Sequence, residues 1–304
     1  MYANHYRLKE LPFSITPDTQ FFFRHSSCLE AYNTLLVAAR SGEGFLKVVG
    51  EVGTGKTLLC RKFLNQLETE SFVTAFIPNP YLEPMTLLLA VADELGVVYP
   101  ENPNQHLLLK ALTEFLIATH ADGKRVVLCL DEAQAMPTES LEALRLLTNL
   151  ETESRKLLQV VLFGQPELDV KLDDPAIRQL KQRITFSCNL GTLTLPDVEY
   201  YLAHRLGIAG YRGPRLFARE AVQLLHRASR GVPRLINILA HKSLMAGFGE
   251  GARYITERYV KIAIVDTESA HTQFSAWRRY WLRLGMLLTV LAASAGALAW
   301  AHWS

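Results

Sequence analysis

The sequence predicts an α/β chain with three parts: a parallel-sheet core, a C-terminal helical domain, and one apolar C-terminal span. Three observations predict it. Short apolar runs alternate with amphipathic stretches as far as about residue 190, the pattern of a parallel sheet covered on both faces. From Leu195 onward the periodicity is helical only. Leu284–Ala301 carries no charged residue and just reaches the ~18 residues of a membrane span.

The elements follow in order. Residues 29–41 (LEAYNTLLVAARS) read as an amphipathic helix closed by Gly42 and Gly44. Phe45-Leu-Lys-Val-Val is a short strand, followed by a glycine-rich turn and a helix from Thr57 to about Leu67. Phe72–Ile77 is a second strand, broken by Pro78 and Pro80. Residues 85–95 and 105–120 are helical. Val126–Leu130 is a third strand, apolar throughout as a buried parallel strand requires. Residues 139–150 place leucines at 141, 144, 147 and 150 of a helix, and Leu157–Phe163 is a fourth strand. Helices then cover 196–206, 217–229, 233–247 and 256–266, with glycines at 207, 210, 213, 231 and 249 as punctuation.

The bulk properties argue against several classes. A net charge of +2 over 304 residues gives no strongly basic surface for nucleic acid. Cys28, Cys60, Cys129 and Cys188 form no CxxC pair and no cluster of zinc-ligand spacing. Cys60 and Cys129 sit in apolar runs, where buried free thiols are expected in a reducing compartment. The N-terminus continues into Arg7, Lys9 and Glu10 without an apolar signal stretch, so the main domain is expected to stay in the cytoplasm.

Gly50-Glu51-Val52-Gly53-Thr54-Gly55-Lys56-Thr57 fits G-x-x-x-x-G-K-[ST], the phosphate-binding loop. The glycines let the backbone curl so that N–H groups point inward at phosphate oxygens. Lys56 brings positive charge to the β- and γ-phosphates, Thr57 offers a hydroxyl to Mg²⁺, and the helix through Leu58 adds its positive end. The motif follows a strand and opens a helix, which is the context it requires. A chance match in a glycine-rich turn is the alternative.

Val126–Leu130 runs into Asp131 and Glu132. The carboxyl ends of strands are where open α/β sheets bind ligands, so Asp131 is expected to hold Mg²⁺ through water and Glu132 to polarise the attacking water. The alternative is a helix cap beside a solvated charge. A carboxylate next to the metal ligand favours hydrolysis. No N-K-x-D guanine reader occurs, so ATP is the expected nucleotide.

These residues carry a resemblance to AAA+ ATPases, and more narrowly to the ExeA-type secretion ATPases. It rests on LPFSITPDTQFFF at 11–23, GEVGTGKT at 50–57, LDEAQAMP at 130–137, LEALRLLTNLE at 141–151, VVLFGQPEL at 160–168, QLKQRI at 179–184 and GVPRLIN at 231–237. The resemblance implies a core over 1–190 and a helical lid over 191–268. Gln165 takes the place of the first sensor, with a plain turn residue before Pro166 as the alternative. Arg183 resembles the finger that reaches a neighbour's ATP, with Arg178 as its rival, so a homo-oligomer is implied. Arg234 resembles the second sensor. Phe13 and Thr16–Asp18 correspond to a segment near the adenine side, or to a hydrophobic staple.

The tail completes the expectation. Residues 269–283 form a basic juxtamembrane linker and 284–301 a transmembrane helix. Trp277, Trp281, Trp300 and Trp303 flank or close the span, and Arg278, Arg279 and Arg283 precede it. An aromatic belt and the positive-inside rule then place the N-terminal domain in the cytoplasm and the anchor in an inner membrane. The implied role is assembly of a secretion apparatus or a type IV, MSHA-like pilus, with inner-membrane assembly proteins as partners. The longer secretion ATPases continue into a periplasmic peptidoglycan-binding domain; the sequence ends at Ser304, and no direct peptidoglycan contact is expected. Two rival classes stay open: a slow-turnover ATP-dependent binding switch, and a DNA-handling ATPase, against which the near-neutral charge argues.

Overall fold

A computed structural model describes residues 2–68, 71–148, 156–268 and 270. The described residues divide into two compact units, one within 16–192 with 232–234 and the other within 2–15, 193–231 and 235–270.

The first unit is built on a five-stranded sheet of order β2-β3-β4-β1-β5. The strands are β1 (Phe45–Gly50), β2 (Phe72–Ile77), β3 (Arg125–Leu130), β4 (Leu158–Gly164) and β5 (Ile184–Leu190), and every pairing is parallel. Successive side chains of a strand point to opposite faces, and the two hydrophobic clusters show this residue by residue. Val126, Leu128 and Leu130 of β3 enter one cluster with Leu158, Val160 and Leu162 of β4. Val127, Cys129, Val161 and Phe163 enter the other. Both faces therefore need cover. Leu87, Leu88, Val91, Leu108, Leu112 and Leu144 supply it on the first face, from α4 (Pro84–Leu95), α5 (Gln105–Ala121) and α6 (Thr138–Leu147). Leu35, Leu59, Phe63 and Leu67 supply it on the second, from α2 (Ser26–Ser41) and α3 (Lys56–Leu67). Each such side chain contributes about 1.5–3 kcal/mol when fully buried. The short helix α1 (Tyr2–His5) precedes them in sequence, and α7 (Glu167–Leu172) and α8 (Arg178–Lys181) lie between β4 and β5.

The termini of these helices follow from local chemistry. Gly42 closes α2 in the left-handed region at φ 85°, with its N–H on the Ala38 carbonyl, as the glycine there predicts. The Asn104 side chain accepts from the Leu107 N–H and caps α5. Four elements depart from the sequence expectation. The helix expected over 139–150 is described only to Leu147, and residues 149 and 150 lie outside the described residues. α7 and α8, at six and four residues, are too short to show a period. Strand β5 carries no apolar run because it is an edge strand that pairs with β1 alone, and much of it is exposed.

The second unit contains α9 (Leu195–Ile208), α10 (Arg219–Ser229), most of α11 (Pro233–Gly249) and α12 (Glu257–Val265). Thr194 and Asp197 form a reciprocal capping box at the start of α9. α9 runs through Gly207 instead of ending there: a glycine costs a helix only about 1 kcal/mol, which neighbouring packing overrides. Residues 1–15 belong to this unit. Phe13 is 2% exposed and meets Phe217 edge-on, a core contact. Arg205, also buried, donates to the Pro12 and Ser14 carbonyls and to Tyr201 Oη. Tyr201 Oη in turn donates to Asn237 Oδ1 at 2.8 Å. A buried guanidinium is tolerated because its donors are matched.

Gly231 sits at φ 75°, and a Cβ there would lie 2.1 Å from the Leu193 carbonyl oxygen. Gly231→Ala is therefore expected to destabilise this unit by about 2–4 kcal/mol, through strain and backbone displacement. Thermal unfolding of the variant checks it, with an unchanged midpoint the contrary result.

Residues 271–304 lie outside the described residues, and with them the expected transmembrane helix 284–301 and all but Ala270 of the linker 269–283. Among the described residues no helix is long and apolar enough to cross a membrane.

Candidate nucleotide site

β1 ends at Gly50, between β4 and β5, and α3 begins at Lys56. The five residues between them must reverse the chain without losing contact with the sheet. Gly50 permits this because a Cβ there would lie 2.8 Å from Thr54 Oγ1 and 2.9 Å from the Leu190 carbonyl. Gly53 at φ 82° and Gly55 at φ 101° take left-handed conformations, which side chains disfavour. Thr54 is buried, and its Oγ1 donates to the Glu51 carbonyl at 2.8 Å. Glu51 and Val52 are exposed, so what they bring to a phosphate is backbone. Leu58 is half-buried in the first turn of α3 and packs against the core.

Lys56 is only 5% exposed. Its Nζ donates to the carbonyls of Gly50 at 2.7 Å and Glu51 at 3.0 Å. Burial lowers its pKa, and the carboxylates of Glu132, Asp131, Glu51 and Glu167 oppose that shift. The ammonium is thus held inside the loop, surrounded by acceptors.

Asp131 follows β3, and its side chain is buried. Thr57 Oγ1 donates to its Oδ2, and the Glu132 N–H donates to Oδ1 at 3.0 Å. Burial raises the Asp131 pKa, while those two hydrogen bonds and Lys56 pull the other way. The two residues expected to hold Mg²⁺ are therefore in contact. Among the described residues no group of three or more His, Cys, Asp or Glu side chains could hold a metal. The hydroxyl of Thr57 and the carboxylate of Asp131 are hard oxygen donors of the kind that suit Mg²⁺, which keeps waters and phosphate oxygens and takes one or two protein ligands. The curled N–H groups and the Lys56 ammonium fit a nucleotide's phosphates.

Glu132 has a left-handed backbone, φ 53°, and a half-buried side chain. Its Oε2 accepts from Gln134 Nε2 at 2.6 Å and from Gln165 Nε2 at 3.0 Å. Burial raises its pKa, but these two bonds and Lys56 outweigh it and leave the carboxyl below the usual glutamate value. Gln165 follows β4, beside β3, so the sheet order brings the expected first sensor to the expected base. Two participants escaped sequence reasoning. Gln134 lies within the LDEAQAMP segment, but nothing in its spacing marks its partner. Lys171, on α7, donates to the carbonyls of Gln134 and Met136 and left no signal beyond its charge.

Arg234 is exposed, but its N–H donates to the Gly53 carbonyl at 3.1 Å. A Cβ on Gly53 would lie 2.7 Å from Arg234 Cβ. Gly53→Ala is expected to weaken ATP binding by about 1–3 kcal/mol, from the strained φ and this clash. Titration of ATP against wild type and variant measures it, and equal affinity would contradict it.

Arg183 is not at this loop. It immediately precedes β5, whose Ile184 pairs with Phe45 at the far end of β1 from Gly50. At about 3.3 Å per residue that is more than 15 Å of strand. It lines a cavity of about 290 Å³ with Gly44, Thr148, Lys156 and Thr185, and its Nη1 is buried without a partner among the described residues. Its rival Arg178 is exposed at the start of α8.

A parallel sheet of order β2-β3-β4-β1-β5, with a phosphate loop after β1 and paired carboxylates after β3, is a P-loop fold, and such a loop is a nucleotide-binding site. Comparison with known proteins agrees. A family profile for an AAA domain matches residues 39–172. The chain is 40% identical over 303 residues to General secretion pathway protein A of Aeromonas hydrophila, an alignment covering 100% of this chain and 54% of that protein. The chain thus spans about half the length of that curated relative. Two solved structures share the fold. One is CDC6P from Pyrobaculum aerophilum, with TM-score 0.62, 17% identity, and 87% of this chain and 70% of that chain covered. The other is the ORC2 protein of Aeropyrum pernix in its ADPNP–ADP complexes, with TM-score 0.60, 16% identity, and 83% and 72% covered.

Proposed function

We propose that this protein is an Mg²⁺-dependent ATPase of the ExeA-type secretion family, similar in role to MshM, a protein of mannose-sensitive haemagglutinin pilus biogenesis. The observation that carries the hydrolase reading is the line of side chains beside the loop: Thr57 on Asp131, then Glu132 held by Gln165. The loop N–H groups and Lys56 bind the phosphates of ATP, and Thr57 and Asp131 hold Mg²⁺, which supplies charge neutralisation when bound. Glu132 Oε1, the oxygen to which neither amide donates, takes the proton of the attacking water. The 40% identity to a secretion protein supports the assembly role, and the charge-free, tryptophan-flanked run 284–301 supports an inner-membrane anchor with the ATPase in the cytoplasm. Remote from its own loop, Arg183 acts on a neighbouring subunit's ATP in this reading, so the protein works as a homo-oligomer, with Arg234 as the second sensor on its lid.

Full-length protein in lipid vesicles is expected to release phosphate from ATP over many turnovers when Mg²⁺ is present. Crosslinking in native membranes is expected to recover components of a pilus or secretion assembly. Recovery from the soluble fraction only would remove the anchor, and salt-sensitive DNA binding would favour the DNA-handling class. A slow-turnover binding switch is the second reading, because two amides already hold one Glu132 oxygen. Multiple turnovers per site exclude it.

A further inference from the structure

We propose that Gln134 is a positioning residue for ATP hydrolysis: its amide fixes the Glu132 carboxylate and ties it to the backbone of Gln165. The inference rests on the hydrolase reading above and adds a residue to it.

The geometry is a closed ring of three hydrogen bonds. Gln134 Nε2 donates to Glu132 Oε2 at 2.6 Å, and Gln134 Oε1 accepts from the Gln165 N–H at 3.0 Å. Gln165 Nε2 closes the ring on the same Glu132 oxygen at 3.0 Å. Only one orientation of the Gln134 amide satisfies both its partners. Flipped, it would set oxygen against carboxylate and N–H against N–H. The amide therefore has a fixed sense, and so does the carboxylate it holds. Because both donors use Oε2, Oε1 is the oxygen directed to a substrate proton.

The surroundings hold Gln134 as firmly as Gln134 holds Glu132. Lys171 Nζ donates to the carbonyls of Gln134 and Met136, pinning the turn to α7. Gly164, the last residue of β4, leaves room for the amide: a Cβ there would lie 3.3 Å from Gln134 Oε1 and 2.7 Å from Leu168 Cδ2. Glu132 has φ 53°, uncommon for a residue with a side chain, and such conformations persist where neighbours over-determine them. A residue that only stabilised the 3-10 turn Ala133–Ala135 would not need partners on two strand ends.

The test is steady-state hydrolysis by the full chain carrying Gln134→Met, which keeps the length and loses both bonds. Gln134→Glu is the second variant; it keeps the acceptor facing Gln165 and loses the donor to Glu132. Displacing a catalytic group by about 1 Å can cost about a hundredfold. Both variants are expected to lose about ten- to a hundredfold in kcat, with KM for ATP and the melting temperature near wild type. In a Glu132→Gln background, Gln134→Met is expected to cause no further loss. Unchanged kcat in both variants overturns the inference. So does a parallel fall in ATP affinity and melting temperature, or a full additional loss in the Glu132→Gln background. These failures leave the wild-type activity intact. A wild-type chain that binds ATP but turns over no faster than Lys56→Ala defeats the hydrolase reading itself, and this inference with it.

Discussion

Lys56→Ala is expected to remove ATP turnover and to weaken ATP binding by about a hundredfold, within the range for truncating one partner of a buried, hydrogen-bonded charge pair. The effect is electrostatic. The ammonium is buried, it donates to two loop carbonyls, and it feels the charge of Glu132 and Asp131. A polyphosphate entering the loop meets Asp131 and Glu132 on one side, and Lys56 is the cation set against them. Without it, phosphate oxygens would face those carboxylates through a low-dielectric site. Stability should move the other way or scarcely at all. Burial already disfavours the charged lysine, so its removal relieves desolvation while costing two hydrogen bonds to carbonyls. Binding of a fluorescent ATP analogue, phosphate release with Mg²⁺ and a melting curve together separate these effects. A variant that hydrolyses ATP at the wild-type rate would show that the chemistry lies elsewhere.

Some of this site is written in the sequence and some is not, and the division has a physical basis. The phosphate loop is local: Gly50, Gly53, Gly55, Lys56 and Thr57 are neighbours in the chain, and the backbone conformation demands glycine at fixed offsets. Strands β3 and β4 are legible because burial on both faces forces continuous apolar runs, and β1 and the edge strand β2 are apolar enough to read the same way. β5 lacks such a run: Ile184–Leu190 only alternates polar and apolar residues, a half-buried strand pattern that is easily passed over in so short a stretch directly after α8. The Asp131–Thr57 contact follows once β3 and β1 are placed in one sheet. The ring through Gln134 does not. It joins residues 31 and 33 positions apart, and its geometry depends on amide orientation, which no periodicity encodes. Arg205 is a similar case. Its partners are carbonyls of the N-terminal segment, so neither its burial nor the membership of residues 1–15 in the helical unit could be read from spacing.

Glu132→Gln is the sharper experiment, because it should separate binding from chemistry. The substitution keeps the side-chain shape and removes the charge, so the loop, Lys56 and the Thr57–Asp131 pair stay as they are. ATP affinity should hold or rise, since one carboxylate facing the phosphates is gone. Turnover should fall by about 10²–10⁴-fold, the range attributed to a positioned general base. The surroundings make the loss steep. Both Gln134 and Gln165 present N–H groups to Oε2, a match for a carboxylate. A glutamine there must turn its own oxygen toward them, which points its N–H₂ group at the position of the attacking water. The replacement is then a donor where an acceptor is needed. The same two bonds keep wild-type Glu132 below the usual glutamate pKa, so it stays ionised as pH falls to 6, and Glu132 protonation should not set the acid limb of kcat above pH 5. Single-turnover hydrolysis beside equilibrium ATP binding reads both quantities. If the variant loses binding and turnover together, Glu132 holds the nucleotide instead of activating water, and the binding-switch reading gains.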